Sequence, residues 1–240
     1  MEVHHHPHVE KKKFKEYFLE FLMIFLAVTM GFFAESLRES ISDHSKAREY
    51  IQSFYDDLKT DTAKISKIVL FDDEKIKGLS DISNCCDTVL KNPQSSTCLF
   101  GITKNTILNM PFQVTERTFQ QLANTGSFRI LPKQDADSIT KYFDVFNTIR
   151  DFQSTGFQQA QDEVRIALMP LINAKASLQL INPILKGEFL FSHDLAALNK
   201  FFNELIKYRA FVAAQRSMLE ALKENQIRLL KFFDREYHFE

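Results

Sequence analysis

The feature that most constrains the fold of this chain is an apolar run near its N-terminus. Residues 17–34 are apolar apart from Glu20 and Thr29. A helix rises about 1.5 Å per residue, so this run reaches roughly 27 Å, close to the hydrocarbon thickness of a bilayer. The run therefore predicts one transmembrane helix that anchors the rest of the chain in a membrane.

Two other kinds of segment also contain an apolar run, namely a cleaved signal peptide and the buried core helix of a globular domain. A signal peptide has a shorter apolar core that ends in a small-x-small cleavage site. Here the run continues into Glu35 and Arg38 without such a site. The pattern favours an uncleaved anchor over a signal peptide, and a core helix is the remaining alternative.

Basic residues flank the anchor unequally. The first basic residue after it is Arg38, whereas four lysines precede it: Lys11, Lys12, Lys13 and Lys15. Because positively charged flanks stay in the cytoplasm, we expect a cytoplasmic N-terminus. The predicted organisation is a His-rich basic cytoplasmic head at 1–16, a transmembrane helix at 17–34 and a helical extracytoplasmic domain at 35–240.

Glu20 lies inside the apolar run, about one turn from its start. At about 100° per residue it shares a narrow face with Ala27, Gly31 and Ala34. In one interpretation the carboxylate reaches the lipid–water interface or pairs with a lysine. In the other, the small residues let a second transmembrane helix approach this face closely. The second interpretation predicts a homo-oligomer or a complex with another membrane protein.

The first residues are rich in histidine. His4, His5, His6 and His8 could supply imidazole ligands to a divalent metal ion or to haem iron. No thiolate accompanies them, and a flexible tail loses conformational entropy when it binds. A disordered or interfacial cytoplasmic tail that responds to pH near neutrality is the alternative interpretation. No other cofactor is predicted.

Residues that break regular structure are scarce: the 240 residues include six glycines and six prolines, which favours long helices. Apolar residues recur every three or four positions from Leu37 to Val69 and again from Leu198 to Phe233. These patterns predict an all-α chain. In it, the transmembrane helix continues to residue 77 and into an elongated bundle with two long amphipathic helices, the second at 193–235.

The C-terminal apolar repeat follows a heptad with polar interruptions at Gln215 and Gln226. A stripe of this kind packs against another helix of the same chain or against a second chain in a coiled coil. The sequence fits both alternatives: packing on the long first helix, and a coiled coil between chains.

Shorter elements are expected between the two long helices. The apolar spacing predicts helices at 80–91, 134–168 and 171–181, with Gly156 as a candidate bend. Residues 94–105 are polar and are expected to form a loop.

A further short helix is expected between Thr115 and Gly126. Thr115 would cap its N-terminus, and Gly126 suits the left-handed position that ends many helices. Residues 127–132 are expected to be extended, because Pro132 disfavours helix in the residue before it.

The chain has three cysteines, Cys85, Cys86 and Cys98, and their spacing is not that of a zinc finger. In an oxidising compartment outside the cytoplasm, Cys98 could pair with Cys85 or with Cys86 and leave one thiol over. Small buried side chains without a disulfide are the alternative.

Motifs that carry chemistry are not found. The sequence has no nucleotide-binding, zinc-protease, serine-hydrolase or calcium-loop pattern. The acidic pairs at 56–57 and 72–73 are expected on solvated helix faces. The formal net charge is −1, so no basic excess points to nucleic acid. We therefore expect neither an enzyme nor a nucleic-acid-binding protein.

Two segments carry a resemblance to a known family. They are EYIQSFYDDLKTD at 49–61 and TFQQLANTGSFRIL at 118–131. Together with the basic head and the anchor, they resemble an uncharacterised family of single-pass membrane proteins of the Bacteroidota. The resemblance covers most of the chain from the anchor onward. It implies an inner-membrane anchor with a periplasmic helical domain, and it brings no known activity.

Functions of different classes fit these features. The first is a membrane-anchored structural or interaction subunit, a scaffold without catalytic activity. The second is a membrane-anchored sensor or ligand-binding module with a His-rich tail that binds metal or haem. Proton or ion coupling through Glu20 is a third hypothesis.

Overall fold

The computed structural model describes residues 13–181 and 185–239 of the chain. The elements in order are α1 Phe14–Gly78, α2 Ile82–Lys91, α3 Thr97–Ile107, α4 Arg117–Thr125, a 3-10 helix Ser127–Ile130, α5 Lys133–Asp151, a π-helical turn Phe152–Phe157, α6 Gln158–Leu168, α7 Ala174–Ser177 and α8 Leu195–Tyr237. These residues form no β-strand, and one isolated antiparallel bridge joins Ile172 to Leu190. The all-α prediction is confirmed.

The chain divides into two units, Met1–Glu49 and Tyr50–Glu240, and the boundary falls within α1. In the first unit, α1 carries the apolar run. Among the described residues, this is the one helix long and apolar enough to cross a membrane, and none of its apolar window is buried within the structure. A core helix of a soluble domain would bury that window, so the exposure disagrees with the core-helix alternative.

In the second unit, α1 from Tyr50 onward packs against α8. The rings of Phe54 and Phe233 meet edge to face with centroids 5.9 Å apart, and farther along α1 Lys75 donates a hydrogen bond to the Tyr208 hydroxyl at 2.9 Å. Because the later residue of α1 meets the earlier residue of α8, the two helices are antiparallel. The heptad of α8 is thus buried within its own chain.

A third long segment, α5 through α6, packs along α8. The sequence predicted one helix at 134–168, and the structure has α5, the π-helical turn and α6 in direct succession. The irregularity expected at Gly156 takes the form of this π-helical turn. A Cβ atom at Gly156 would lie 2.7 Å from the Phe211 ring of α8, so glycine permits the close approach of the turn to α8.

The prediction of a loop at 94–105 is wrong, because most of these residues form α3. Leu99, Phe100 and Ile102 are buried in the core that also contains side chains of α2, α6 and α8. Burial of these apolar side chains outweighs the polar composition of the segment, which had suggested a loop. The helix predicted at 80–91 is confirmed as α2.

The segment around α4 is predicted in part. Gly126 ends α4 in a left-handed conformation with φ of 66°, as expected. Thr115 does not cap the helix, because α4 begins at Arg117 and Glu116 takes the N-cap position. The Thr115 hydroxyl donates to Asp61. The extended segment expected at 127–132 is mostly a 3-10 helix. Only its last two residues, Leu131 and Pro132, are extended, and Leu131 follows the restriction that Pro132 imposes.

The helix predicted at 171–181 is shorter than expected, because α7 has only four residues. The backbone on the N-terminal side of α7 forms hydrogen bonds with another segment and not within a helix. Asn173 N–H donates to the Phe189 carbonyl and Phe191 N–H donates to the Leu171 carbonyl, both at 2.8 Å. These bonds hold the segment in a short antiparallel bridge that a helix cannot form.

Candidate functional site

The four residues of the predicted helix contact in the membrane lie on α1 and are exposed: Glu20, Ala27, Gly31 and Ala34. A Cβ atom at Gly31 would meet no atom of the described residues within 4 Å. The face at Gly31 is therefore open to the approach of another helix. That a second helix packs there stays a prediction.

The four histidines of the head, His4, His5, His6 and His8, lie outside the described residues. Metal or haem binding by the head therefore stays a prediction. Within 13–181 and 185–239, no group of three or more His, Cys, Asp or Glu side chains is placed to hold a metal ion.

Cys85 of α2 and Cys98 of α3 form a disulfide, and Cys86 is a half-buried free thiol. The disulfide joins the two short helices across a sequence separation of 13. Burial, together with the nearby Asp87 carboxylate, raises the pKa of the Cys86 thiol. Cys86 is therefore a weak nucleophile near neutral pH.

A buried polar cluster around Asp61 of α1 was not predicted. The Asp61 side chain is almost fully buried and joins α1 to two other parts of the bundle. Its carboxylate accepts from the Thr115 N–H at 3.0 Å, the Thr115 hydroxyl at 2.7 Å and the Tyr142 hydroxyl at 3.1 Å. The Lys64 ammonium adds a further bond at 3.0 Å. A carboxylate with this many donors holds the start of the α4 region and α5 in place.

Asp57, one turn earlier on α1, holds α4 directly. Its carboxylate accepts from the Thr118 hydroxyl at 2.5 Å and from the Arg117 guanidinium at 3.2 Å. Asp57 and Thr118 are both buried. The two segments that carry the family resemblance, 49–61 and 118–131, are therefore in contact through this pair.

Tyr142 extends the Asp61 cluster to α8. The Gln226 amide donates to the Tyr142 hydroxyl at 2.8 Å, and Thr62 donates to the Gln226 side-chain oxygen at 3.0 Å. Burial and the nearby Asp61 charge raise the pKa of Tyr142. The hydroxyl is therefore protonated and acts as a donor to Asp61.

A second buried polar cluster lies farther along α1. Asp72 accepts from the Gln215 amide at 2.9 Å, and the Gln215 oxygen accepts from the Gln153 amide at 3.0 Å. The other oxygen of Asp72, Oδ1, has no hydrogen-bond partner among the described residues. Burial raises the pKa of Asp72 to about 6, against the opposing effects of the Gln215 hydrogen bond and the Lys75 charge.

Lys75 is buried one turn after Asp72. Its ammonium donates to the Leu108 carbonyl and to the Tyr208 hydroxyl, and it lies 4.9 Å from the Phe71 ring centroid. Burial lowers the pKa of Lys75 to about 8. The cavity that Lys75 lines is about 160 Å³, smaller than most sites for organic ligands.

The sequence does contain a signal for these clusters. Asp61 follows Leu58 by three residues and precedes Ile65 by four, so it stands on the apolar stripe of α1. Gln215 and Gln226 interrupt the stripe of α8 in the same way. A polar residue on a buried stripe requires a partner, and each glutamine finds one across the bundle.

The expectation that both acidic pairs are solvated is wrong for one member of each pair. Asp57 and Asp72 are buried, whereas Asp56 and Asp73 are exposed. Adjacent residues of a helix point about 100° apart, so one carboxylate of a pair can face the core while its neighbour faces solvent.

A cavity of about 680 Å³ opens beside the second cluster. The irregular connection between α3 and α4 forms one wall, and α5 with the π-helical turn forms the other. Phe112, Phe146 and Gln153 are buried at its floor, while Arg150 and Ser154 are exposed at its rim. This volume is typical of sites that bind small organic molecules.

The floor of the cavity combines aromatic and polar surfaces. The rings of Phe112 and Phe146 meet edge to face at 5.8 Å. The π-helical turn supplies the Gln153 amide, and π-helical turns often occur at functional sites. The side-chain oxygen of Asn109 is buried at the same cavity without a partner among the described residues.

The rim of the cavity carries one charge of each sign. The Arg150 guanidinium lies 5.7 Å from the Phe146 ring centroid and 3.9 Å from the Glu116 carboxylate. Both charged side chains are partly exposed, so their attraction is weak and either can turn to a ligand. The cavity thus offers aromatic contact, hydrogen bonding and ion pairing, which together suit binding of a small organic molecule.

No protein-family model, no curated protein and no solved structure matches this chain significantly. The family resemblance therefore stays a prediction.

Proposed function

We propose that the chain is a membrane-anchored helical module that binds a small organic ligand in the cavity beside the π-helical turn. The observation that carries the proposal is the floor of this cavity. There the Gln153 amide lies with the rings of Phe112 and Phe146. A purely structural bundle gains stability by filling such a space with apolar side chains. The expected ligand has an apolar part and a hydrogen-bonding edge.

Thermal unfolding with a panel of small organic acids, amides and heterocycles tests the ligand proposal. A ligand at 100 times its Kd adds about 2.7 kcal/mol to the free energy of unfolding. For a domain of this size, that raises Tm by roughly 5–10 °C. We expect at least one compound of the panel to produce such a shift in the wild-type chain.

Two tryptophan variants show where the compound binds. Ser154→Trp fills the rim of the cavity, and Thr155→Trp changes the exposed neighbour that does not line it. We expect the shift to persist in T155W and to vanish in S154W. A panel that stabilises nothing, or that stabilises S154W equally, contradicts the proposal.

For location, we propose an inner membrane with the head in the cytoplasm and the bundle in the periplasm. The lysines before the anchor support this orientation. The Cys85–Cys98 disulfide also supports it, because disulfides persist in oxidising compartments. A periplasm-active reporter fused at the C-terminus is expected to be active. Activity only of a cytoplasmic reporter would reverse the orientation.

A second candidate function, a structural or interaction subunit, is favoured by exposed apolar side chains around α7. Met169, Leu178, Ile181 and Phe191 are between 75% and 85% exposed. Apolar surface of this kind often marks a contact with another protein. Crosslinking in native membranes is then expected to capture a second copy or another membrane protein. Recovery of monomer alone, without a co-purifying partner, would count against this function.

A further inference from the structure

A groove lies between α5 and α8 and shares no lining residue with the cavity beside the π-helical turn. Its volume is about 460 Å³. Ile149 of α5 and Leu222 of α8 are buried at its floor, whereas Val145 and Ala221 are exposed along its sides. The α5–α8 groove is therefore an apolar surface that is open to solvent.

The two walls of the α5–α8 groove run antiparallel with an even register. Tyr142 of α5 bonds to Gln226 of α8, and Gln153 of the π-helical turn bonds to Gln215. From the first contact to the second, one side advances by as many residues as the other side goes back. This register shows which residues of the two walls lie at the same level.

The polar residues of the groove are gathered at one end. Lys141 and Arg228 lie at about the same level, and Asn225 is less than one turn away on α8. The apolar lining extends from there to the level of Ile149 and Met218. At about 1.5 Å per residue, Ile149 lies about 12 Å along the helix from Lys141. The groove thus has a cationic end and an apolar length.

The two cations at this end have no counter-charge. Lys141 and Arg228 are exposed, and neither has an ion pair or a hydrogen bond within the part of the chain that the structure describes. The acidic residues one turn from them on the same helices, Asp144 and Glu224, do not line the groove. Two cations at one level repel each other, so a bound anion is stabilised by both.

We propose that the α5–α8 groove binds a single-chain fatty acid of medium length. The carboxylate lies between Lys141 and Arg228, and the alkyl chain lies along the floor at Ile149 and Leu222. A guanidinium can donate two parallel hydrogen bonds to a carboxylate, and each methylene group that leaves water adds to the affinity. This site is independent of the ligand proposed for the cavity beside the π-helical turn.

The volume of the groove favours an alkyl chain over a docked helix of a partner protein. A helix with its side chains is about 10 Å across, so a length of about 12 Å takes roughly 900 Å³. The groove has about half of that volume. A single alkyl chain is much narrower than a helix and can reach the buried floor.

Photocrosslinking of the full-length chain in lipid nanodiscs tests the proposal. The probe is a medium-chain fatty acid with a diazirine on its alkyl chain, because a ligand in an open groove exchanges too quickly to survive purification. Mass spectrometry of the digested chain is expected to find the label at 145–149 and 218–222. Excess decanoate should remove this label, and uncharged decanol should need a roughly tenfold higher concentration.

Two pairs of variants define the site. Ala221→Trp fills the groove and is expected to abolish the label, whereas Ala213→Trp, at an exposed position of α8 outside the groove, retains it. Arg228→Gln is expected to raise the decanoate concentration for half-competition about tenfold. Arg209→Gln, also exposed on α8 outside the groove, should leave that concentration unchanged.

Label confined to 17–34 would show partition into the bilayer alone and would overturn the proposal. Groove label that persists in A221W, or competition that is the same in R228Q and wild type, would also overturn it. Label around Ser154 would overturn the groove site and leave ligand binding in the other cavity intact. Conversely, the expected groove label together with a compound panel that stabilises nothing would retain the fatty-acid site and remove the proposed function.

Discussion

Two stretches of α1 are both rich in apolar residues, yet they are built for different surroundings. Residues 17–34 carry apolar side chains on every face of the helix, and all of these side chains except Leu22 are exposed. Residues 50–78 place most of theirs on one stripe that is buried against α8 and α5, and Leu70 is the exposed exception. An all-round apolar surface suits lipid, whereas a stripe suits a protein core.

The two stretches also differ in how their polar side chains are satisfied. In the first, the Thr29 hydroxyl donates to the Phe25 carbonyl one turn earlier at 2.7 Å, so it finds its partner within its own helix. In the second, the Ser66 hydroxyl also bonds within its own helix, but Asp61 and Asp72 bind groups on other elements. Polar groups of the bundle therefore specify which elements pack together, and this difference can be tested by substitution.

Loss of Asp61 is expected to have the largest effect on the bundle. Asp61→Ala leaves the Thr115 N–H and the Tyr142 hydroxyl buried without their acceptor. We expect the free energy of unfolding to fall by about 3–5 kcal/mol. Asp56→Ala, at an exposed position on the same helix, is the control and should change it by less than about 0.5 kcal/mol. Denaturant unfolding measures both, and equal losses would contradict a structural role for the cluster.

A charge in the middle of the apolar run is expected to break the anchor and spare the bundle. Ile24→Lys disfavours membrane insertion by about 3–4 kcal/mol. Carbonate extraction of membranes should release this variant, while Ser40→Lys, placed after the run, should be retained. Thermal unfolding of the bundle should be the same for both. Full retention of I24K would show that this run does not anchor the chain.

Loss of the disulfide is expected to have the next largest effect on the free energy of unfolding. Cys98→Ser frees the chain between α2 and α3, and a loop of this length predicts a loss of about 2–4 kcal/mol in unfolding free energy under oxidising conditions. Cys86→Ser is the control and should change little. Added reductant should lower the stability of the wild-type chain to that of C98S. If reductant has no effect on the wild-type chain, the disulfide does not form in solution.

The smallest expected change in the free energy of unfolding comes from a substitution in the π-helical turn. Gly156→Ala places a methyl group against the Phe211 ring and should lower the free energy of unfolding by about 1–3 kcal/mol. Gly101→Ala lies within α3, where a Cβ atom meets no described atom within 4 Å, so it should raise stability by about 0.5–1 kcal/mol. Opposite signs in calorimetry support the close approach of the turn to α8, and equal signs contradict it.

The long helices could be predicted from the sequence because their signals are local. Few residues interrupt them, and their apolar spacing persists over many turns. The errors arose where tertiary contacts overrode local pattern. Burial of Leu99 and Phe100 stabilises a helix in a polar segment, and hydrogen bonds to Asp61 hold Thr115 before the start of α4.

The candidate site was harder to predict than the fold. Gln215 and Gln226 stood out as polar interruptions, but their partners depend on the register of helices far apart in sequence. Asp72 and Gln215, for example, are 143 residues apart. The cavity depends on a π-helical turn whose one local signal is Gly156, and a glycine alone predicts a bend equally well.

The most direct test of ligand binding is mass spectrometry of the small molecules released when the full-length chain, purified from native membranes, is denatured. We expect one compound with an apolar part and a hydrogen-bonding edge. It should be near equimolar with the wild-type chain and T155W, and absent from S154W. The same compounds from all three chains, or no compound from any of them, would contradict binding in the cavity.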